Sequence, residues 1–497
     1  MYKTLIILLL SVFCFSSAKS QNDQEIKKAL DNINSKDLIE TVKILSSPKY
    51  DGRFPGAKGY DEASEFMRNE FKKSGLRSLN NDNYYQKLNV EYNQIDKPYQ
   101  FIISKNGVKL KSYKLGNDFV FRCFTGGNHI KAQVVFCGYG ISVPESGYDD
   151  YSGIDVKNKI VMVFKHNPKW KINGKVEWPD ATERTKVNAA VKHGAIGIIY
   201  VSEPNESKVE LPIGSAMHGE GNQNTTFPQL HAGQNVAVDL LQESGYNLSK
   251  LQSLIDSLKK PLSLALKTTV EIEVHTKYVK DKATQNVYGI IEGSDPELKN
   301  EYLIVSAHLD HVGSQAGEIY FPGANDNASG SSSVLQMART YSKMNVKPKR
   351  SILFIVFASE EQGLTGSTYS SEHPLIPLEK VSAMINLDCI AFGDSIQMGN
   401  GKSVPELWKI AREKDSLYTK QMTHITWKGG GADGTPFHKK GVPMIYSVTK
   451  NSYGHLHCLS DKVETLNPEL FEKVVRLAYL ISTEVTNGNY KREKVSE

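Results

Sequence analysis

Between residues 308 and 461 the chain carries His308, Asp326, the adjacent pair Glu360 and Glu361, Asp388 and His457. They arrive in short motifs: His308-Leu-Asp310, Gly-Ala-Asn-Asp326-Asn-Ala-Ser-Gly, Glu360-Glu361, Asp388 and His457-Cys-Leu-Ser-Asp461. Two imidazoles and three carboxylates suit a pair of zinc ions, because zinc takes imidazole and carboxylate ligands and a catalytic zinc keeps one position open. Two such ions about 3.5–4 Å apart can share one carboxylate and one water. Glu360 and Glu361 are neighbours, so their side chains diverge. One can ligate while the other stays free as a general base. Asp310, two residues past His308, is placed to accept a hydrogen bond from the far nitrogen of that ring. The chemistry implied is metal-assisted hydrolysis.

Compact apolar runs must position these groups. Val287–Ile291, Tyr302–Ala307, Ser351–Ala358, Val381–Leu387 and Pro443–Val448 are continuously apolar, as strands buried on both faces require. Helical stretches lie between some of them: Ser329–Lys343, Pro405–Lys414 and Pro468–Val485. The alternation predicts an α/β fold with a mixed, mostly parallel central sheet flanked by helices. Such sheets hold their sites beyond the carboxyl ends of the strands. His308, Glu360–Glu361 and Asp388 each follow a strand, Asp326 sits in a turn before a helix, and His457 follows Pro443–Val448 after a short loop. Upstream, helices are expected over Asp23–Ile33, Ser35–Leu45 and Gly59–Ser74, then a strand at Tyr84–Val90. Residues 98–280 read as short strands and turns (Ala132–Cys137, Ile160–Phe164, Gly197–Val201) with one helix over Glu183–His193.

A length of 497 residues exceeds what one core organises, so two domains are the default. Hydrophobic content of 39% and charged content of 23% argue against disorder or coiled coil. Residues 1–20 have a lysine, an apolar run over Leu5–Phe15 and small residues after it, which reads as a secretory signal peptide; the expected location is periplasmic or extracellular. No other segment is long and apolar enough for a transmembrane helix. Removing the leader takes Lys3 and Lys19 and no acid, so the formal charge falls from +5 to +3 and gives no support for a nucleic-acid partner. The remaining cysteines, 123, 137, 389 and 458, are too few for a disulfide framework; Cys389 and Cys458 could pair beneath the site or stay free thiols.

Several runs carry a resemblance: Ser-Ala-His308-Leu-Asp310-His-Val-Gly, Gly-Ala-Asn-Asp326-Asn-Ala-Ser-Gly, Ser-Glu360-Glu361-Gln-Gly-Leu-Thr-Gly-Ser, Asn-Leu-Asp388, Ala432-Asp433-Gly-Thr-Pro-Phe437 and His457 with Asp461. Over roughly residues 284–485 the chain resembles the di-zinc aminopeptidases of secreted bacterial leucine-aminopeptidase type. The resemblance implies the zinc exopeptidase fold and two zinc ions per chain. It makes Asp326 the bridge, His308 and Asp388 the ligands of one metal, and Glu361 and His457 those of the other. It makes Glu360 the general base and Asp310 the orienter, acting on peptide substrates with a free N-terminus. Cys137-Gly-Tyr-Gly-Ile, Asp150-Tyr-Ser-Gly-Ile-Asp155 and Ala190-Val-Lys-His-Gly-Ala-Ile-Gly are similar to an inserted β-rich protease-associated domain. The expected division is therefore 1–20 leader, 21–97 first part of the peptidase domain, 98–282 insert and 283–490 catalytic domain.

Relatives often place a tyrosine directly before the final ligand, where Leu456 stands here; Tyr453 and Tyr446 are the candidates for an oxyanion donor. His311, His373, His424 and His438 read as pocket, surface or hydrogen-bonded residues rather than ligands. Competing functions are a glutaminyl cyclase-like mono-zinc transferase, a carboxypeptidase of the same fold and a non-enzymatic receptor. The sequence sets no oligomeric state.

Overall fold

The computed structural model describes residues 24–79, 82–180 and 182–496, so the expected leader lies outside the described residues. Among them, one mixed sheet of 13 strands runs through the whole molecule. In spatial order its catalytic half reads Ile396–Gly399, Met444–Thr449, Val381–Leu387, Tyr302–His308 and Ser351–Phe357. The last four are mutually parallel, the first is antiparallel to its neighbour, and the strands 351–357 and 381–387 are buried at every position. Continuous apolar sequence is thus explained by helices on both faces. Leu303, Val305 and Ala307 face one core with Leu38, Val334 and Phe471, while Ile304, Leu353 and Met384 face another with Phe437.

The helices start where local chemistry dictates. Asn34 accepts from the amide of Asp37 and caps Ser35–Leu45, whose Leu38, Val42 and Leu45 turn inward. Asn467 caps Pro468–Thr486, with proline at the first helical position, where its missing N–H costs nothing.

Two strands are far longer than the sequence pattern suggested. Tyr85–Lys105 and the 29-residue Ser263–Ile291 pair antiparallel from Tyr85 opposite Val287 to Ser104 opposite Thr269. The second strand pairs through Val287–Ile291 with Ser351–Phe357 and through Ser263–Val274 with Asn128–Cys137. One beam therefore joins the catalytic half to the insert, and the expected boundaries at 98 and 282 fall inside this ladder. Periodicity missed the beam because its middle carries the exposed Lys277 and Lys280 and the half-buried Lys282. Within the insert, Asn128–Cys137, Ile160–Phe164, Gly197–Val201 and Gln229–Ala232 form a parallel run over a second core that includes Phe136, Met162 and Ile199. Helices Gln234–Leu240 and Leu248–Leu258, absent from the sequence reading, cover it. All four described cysteines are buried free thiols. Cys389 packs with Met384 and Val448, while Cys458 faces a cavity against the insert.

Asp150 organises the start of the insert. Its Oδ2 accepts the amides of Tyr139 (3.1 Å) and Ile141 (3.0 Å), and its Oδ1 accepts the Tyr148 hydroxyl (2.9 Å). Gly138, at φ +46°, has to be glycine, since a Cβ would sit 2.3 Å from Asp150 Oδ1. Burial raises the Asp150 pKa to about 7, against the pull of those donors. Between the ordinary value of 3.8 and about 7 the folded protein holds a proton that the unfolded chain releases. This contribution to stability is therefore lost as pH rises through that window. Asp150→Asn has no charge to bury, can accept the two amides and can donate to the Tyr148 oxygen. Relative to wild type, the variant should gain on the order of a few kcal/mol in unfolding free energy between pH 4 and pH 8. Denaturant titrations at stepped pH measure this, and a pH-independent difference would sink the assignment.

Candidate metal centre

The parallel register brings the carboxyl ends of the strands to one edge: His308 lies opposite Phe357, and Val381–Leu387 flanks the same strand on its other side. His308 ends its strand, Asp388 follows Leu387 directly, and Glu360 and Glu361 lie in the turn after Phe357. Asp326 sits in the irregular turn Ala324–Ala328 that feeds helix Ser329–Ser342. His457 comes from the loop beyond Met444–Thr449. The five proposed ligands, drawn from 150 residues of sequence, converge.

Asp326 is at the centre. Its Oδ1 lies 3.3 Å from His308 Nε2, and its Oδ2 lies 3.2 Å from His457 Nε2 and 3.8 Å from His311 Nδ1. On the first side, His308 Nε2 is also 3.3 Å from Asp388 Oδ1 and 4.0 Å from Glu360 Oε2. On the second, Glu361 turns Oε2 to His457 Nε2 and Oε1 to His311 Nδ1, each at 2.7 Å. Two groups able to hold a cation thus share one carboxylate: His308, Asp326 and Asp388 form one, and His311, Asp326 and Glu361 the other.

The charge balance shows what the pocket is suited to hold. Asp310, Asp326, Glu361, Asp388 and Asp433 are buried, and Glu360 is one-fifth exposed. Burial raises Glu360 well above the ordinary carboxylate range; Asp388, Asp433 and Glu361 add to this, while His308 opposes it. Burial by itself would lower the pKa of His308, but Glu360 and Asp388 outweigh it and raise the pKa far above its usual value. His457 is raised to about 10 in the same way, its burial overcome by Glu361 and Asp326. Arg53, fully buried, is the permanent cation beside the group. Its guanidinium donates to the carbonyls of Leu309, Leu45, Pro322 and Gly323, so its charge reaches the acids only through space. Crowded acids with imidazoles interleaved are the donor set that divalent zinc satisfies.

Main-chain grips set the geometry. Asp461 accepts the amides of Asn325 (2.8 Å) and Asp326 (3.0 Å), which gives the four-residue spacing after His457 a physical reason. Asn325 also accepts from the Ala391 amide, and Asn327 donates to Leu387 O, tying the Asp326 turn to the strand that delivers Asp388. Asp310 differs in detail from the expected orienter. Its Oδ1 is 3.7 Å from His308 Nδ1, whose nearer acceptor is the Asp310 carbonyl at 3.2 Å. The carboxylate itself accepts the amides of Glu360 (3.1 Å) and Glu361 (3.2 Å), fixing the turn that presents both.

Of the two tyrosines, Tyr446 is buried, with its hydroxyl 3.3 Å from Asp388 Oδ2 and 3.3 Å from the Tyr453 hydroxyl. Tyr453 is 55% exposed and lines a cavity of about 410 Å³ with Leu456, Cys458, Lys208, Glu210 and Leu211, the last three from the insert. Sequence reasoning left out Arg53 and the proximity of Asp433, and it set His311 aside. Arg53 stands about 250 residues upstream in a glycine- and proline-rich turn, where no local pattern marks it. His311 carried a usable signal, since it follows Asp310 at the end of a buried strand.

The comparisons fit this geometry. Residues 286–481 match the model of peptidase family M28, and residues 130–240 match the PA domain. Aminopeptidase YwaD of Bacillus subtilis (strain 168) is 28% identical over 232 residues, which span 44% of this chain and 48% of that protein. A glutamate carboxypeptidase 2 homolog of Caenorhabditis elegans is 22% identical over 90% of this chain and 69% of its own. The fold matches the peptidase M28 precursor of Shewanella amazonensis SB2B at a TM-score of 0.67, with 18% identity over 96% of this chain and 98% of that one. It matches BSAP, a zinc aminopeptidase from Bacillus subtilis, at 0.63, with 19% identity over 94% and 98%. Over residues 286–481 the chain is thus identified with peptidase family M28, and over residues 130–240 with the PA domain.

Proposed function

We propose that the chain is an exported di-zinc exopeptidase that hydrolyses the N-terminal peptide bond of peptides. The observation that carries this reading is Asp326, which offers one oxygen to each of two imidazole–carboxylate groups. His308 and Asp388 would complete one metal site, and Glu361 and His457 the other. His457 is preferred to His311 because its Nε2 is close to both acids, 3.2 Å from Asp326 and 2.7 Å from Glu361, whereas His311 Nδ1 is 3.8 Å from Asp326. His311 would then hold the second oxygen of Glu361 in place.

Bound there, zinc would polarise the scissile carbonyl and lower the pKa of the attacking water. Glu360 ligates nothing in this scheme; its raised proton affinity suits it to take the water's proton and pass it to the leaving amine. Tyr453 would donate its hydroxyl to the developing oxyanion. Its one proton would turn to the oxyanion from the Tyr446 oxygen 3.3 Å away, Tyr446 itself donating to Asp388. Asp310 would keep Glu360 and Glu361 apart in their two roles. A free N-terminus is preferred because YwaD and BSAP are aminopeptidases by name. The alternative is a carboxypeptidase, favoured by the long alignment with the glutamate carboxypeptidase 2 homolog. That activity needs a cation for the substrate's terminal carboxylate. Arg53 is committed to four carbonyls, and Lys208 donates to Gly454 O at 3.0 Å.

Purified enzyme should cleave aminoacyl anilides, lose that activity on chelation and regain it with zinc. Cleavage of C-terminal glutamate alone would move the assignment to the carboxypeptidase. Glu360→Gln should lower kcat by about 10²–10⁴-fold with two zincs retained, as metal analysis would show. His457→Ala should bind one zinc instead of two, whereas His311→Ala should keep two with the second weakened about 10–100-fold. The reverse pattern would exchange the two histidines' roles. Tyr453→Phe should lower kcat by about 10²-fold at nearly constant KM; a change confined to KM would assign Tyr453 to binding instead.

A further inference from the structure

His457 adopts a left-handed backbone conformation (φ +52°), unusual for a residue with a side chain. Its carbonyl accepts a hydrogen bond at 3.1 Å from the amide of Gly214, a residue of the insert. The neighbouring Ile213 is gripped at both polar groups. Its amide donates to His231 Nδ1 at 3.1 Å, and its carbonyl accepts from Arg122 Nη1 at 3.2 Å. His231 is fully buried on the strand Gln229–Ala232, and its Nε2 meets Ser202 Oγ at 2.9 Å. An Nδ1 that accepts an amide fixes the neutral ring with its proton on Nε2, donated to the serine. Burial, with Lys165 and Arg122 nearby, keeps the ring neutral. Arg122 is held in turn by an ion pair with buried Glu183.

The next residues continue the seat. Ser215 O accepts the Cys123 amide, and Ala216 is buried with Phe54, Val312 and Phe321. Gly214 has no room for a side chain, since a Cβ would lie 2.9 Å from the Phe321 ring and 3.1 Å from Val312. A second strut crosses the same interface: Lys208 Nζ donates to Gly454 O, three residues before His457.

We infer that the insert positions a metal ligand: His231 and Arg122 fix Ile213, and through Gly214 they hold the backbone of His457 in the strained turn that aims its imidazole at Asp326 and Glu361. This rests on the ligand role proposed for His457. His231 is a positioning residue that acts through Ile213 and Gly214. Removing its acceptor leaves Ile213 N–H buried without a partner and frees the loop that braces His457. Partners beyond the ligand shell set metal affinity by about 10–100-fold, and only the metal held by His457 should feel this one.

The test is zinc titration of the full chain against a chromophoric chelator, together with the visible spectrum of the cobalt-substituted protein. His231→Phe keeps the ring's bulk but has no acceptor. It should weaken one of the two zinc sites about tenfold or more, leave the other unchanged and alter the cobalt spectrum. His231→Asn places an oxygen near the former Nδ1 and should recover most of the affinity. Gly214→Ala leaves His231 intact and displaces only the final link; it should weaken the same site, and it serves should His231→Phe fail to fold. Wild-type affinity at both sites in Gly214→Ala and in folded His231→Phe overturns the inference, as does equal weakening of both sites. His457→Ala separates the two levels. If it still binds two zincs, the ligand assignment fails and this inference with it; if it binds one while the positioning variants bind two normally, only the inference fails.

Discussion

Asp326 can serve two groups of ligands only because its own main chain is held from behind. Its amide is bound to Asp461, the carbonyl of Gly323 three residues earlier is bound to Arg53, and the side chains of Asn325 and Asn327 fasten the turn to the strand of Asp388. With the backbone saturated, the carboxylate oxygens are left to face His308 on one side and His457 on the other. Charge sets the same requirement. Mutually repelling acids can be packed together only if fixed donors and a cation offset the cost of burial. The fixed donors are largely amides: the turn of Glu360 and Glu361 donates to Asp310, and that of Asn325 and Asp326 donates to Asp461. Acid–amide pairs therefore hold the ligand turns from behind.

Backbone strain occurs at the same place as well. Ser359, Cys389, Ala432 and His457 have φ between +40° and +59°, and each either adjoins an acid of the centre or is a proposed ligand. Residues with side chains held there cost roughly 1–3 kcal/mol each, and such conformations persist only where surrounding contacts over-determine them. Around Ser359 the contacts are a hydrogen bond from its own hydroxyl to Gln362 and the Gln362 amide's bond to Glu91 O. Glu91 is in turn paired with Arg184 of the insert. Two of the four strained positions, Ser359 and His457, are thus braced partly by the inserted domain.

How much of this was legible depends on whether the signal was local. Ser351–Phe357 and Val381–Leu387 were readable because every position is buried, so the sequence there is simply apolar. The convergence of the proposed ligands was readable because parallel strands deliver their next residues to one edge. The long beam was not, because only part of Ser263–Ile291 is buried and its lysine-rich middle looks like loop. Arg53 was not, because its partners are carbonyls, which carry no sequence signature. His311 falls between these cases. Its position was visible, but whether an imidazole at a strand end meets an acid depends on the angle of the Glu361 turn, and Asp310 sets that angle from another segment.

The beam also explains why an insert of this size can be tied to the catalytic half. A domain tethered by two flexible linkers would leave its loops free to move relative to the ligands. Here the connections are two strands paired over some twenty residues, and the longer one also pairs with strands of both halves of the sheet. Rotating the insert would break that ladder, so the seat of Gly214 against His457 holds with the precision of a sheet. A backbone hydrogen bond across domains is a weak restraint in itself, worth about 1 kcal/mol. Its donor lies in a loop that His231 and Arg122 pin to the insert through Ile213, so with the insert fixed by the shared ladder the alternative positions of that donor are largely removed.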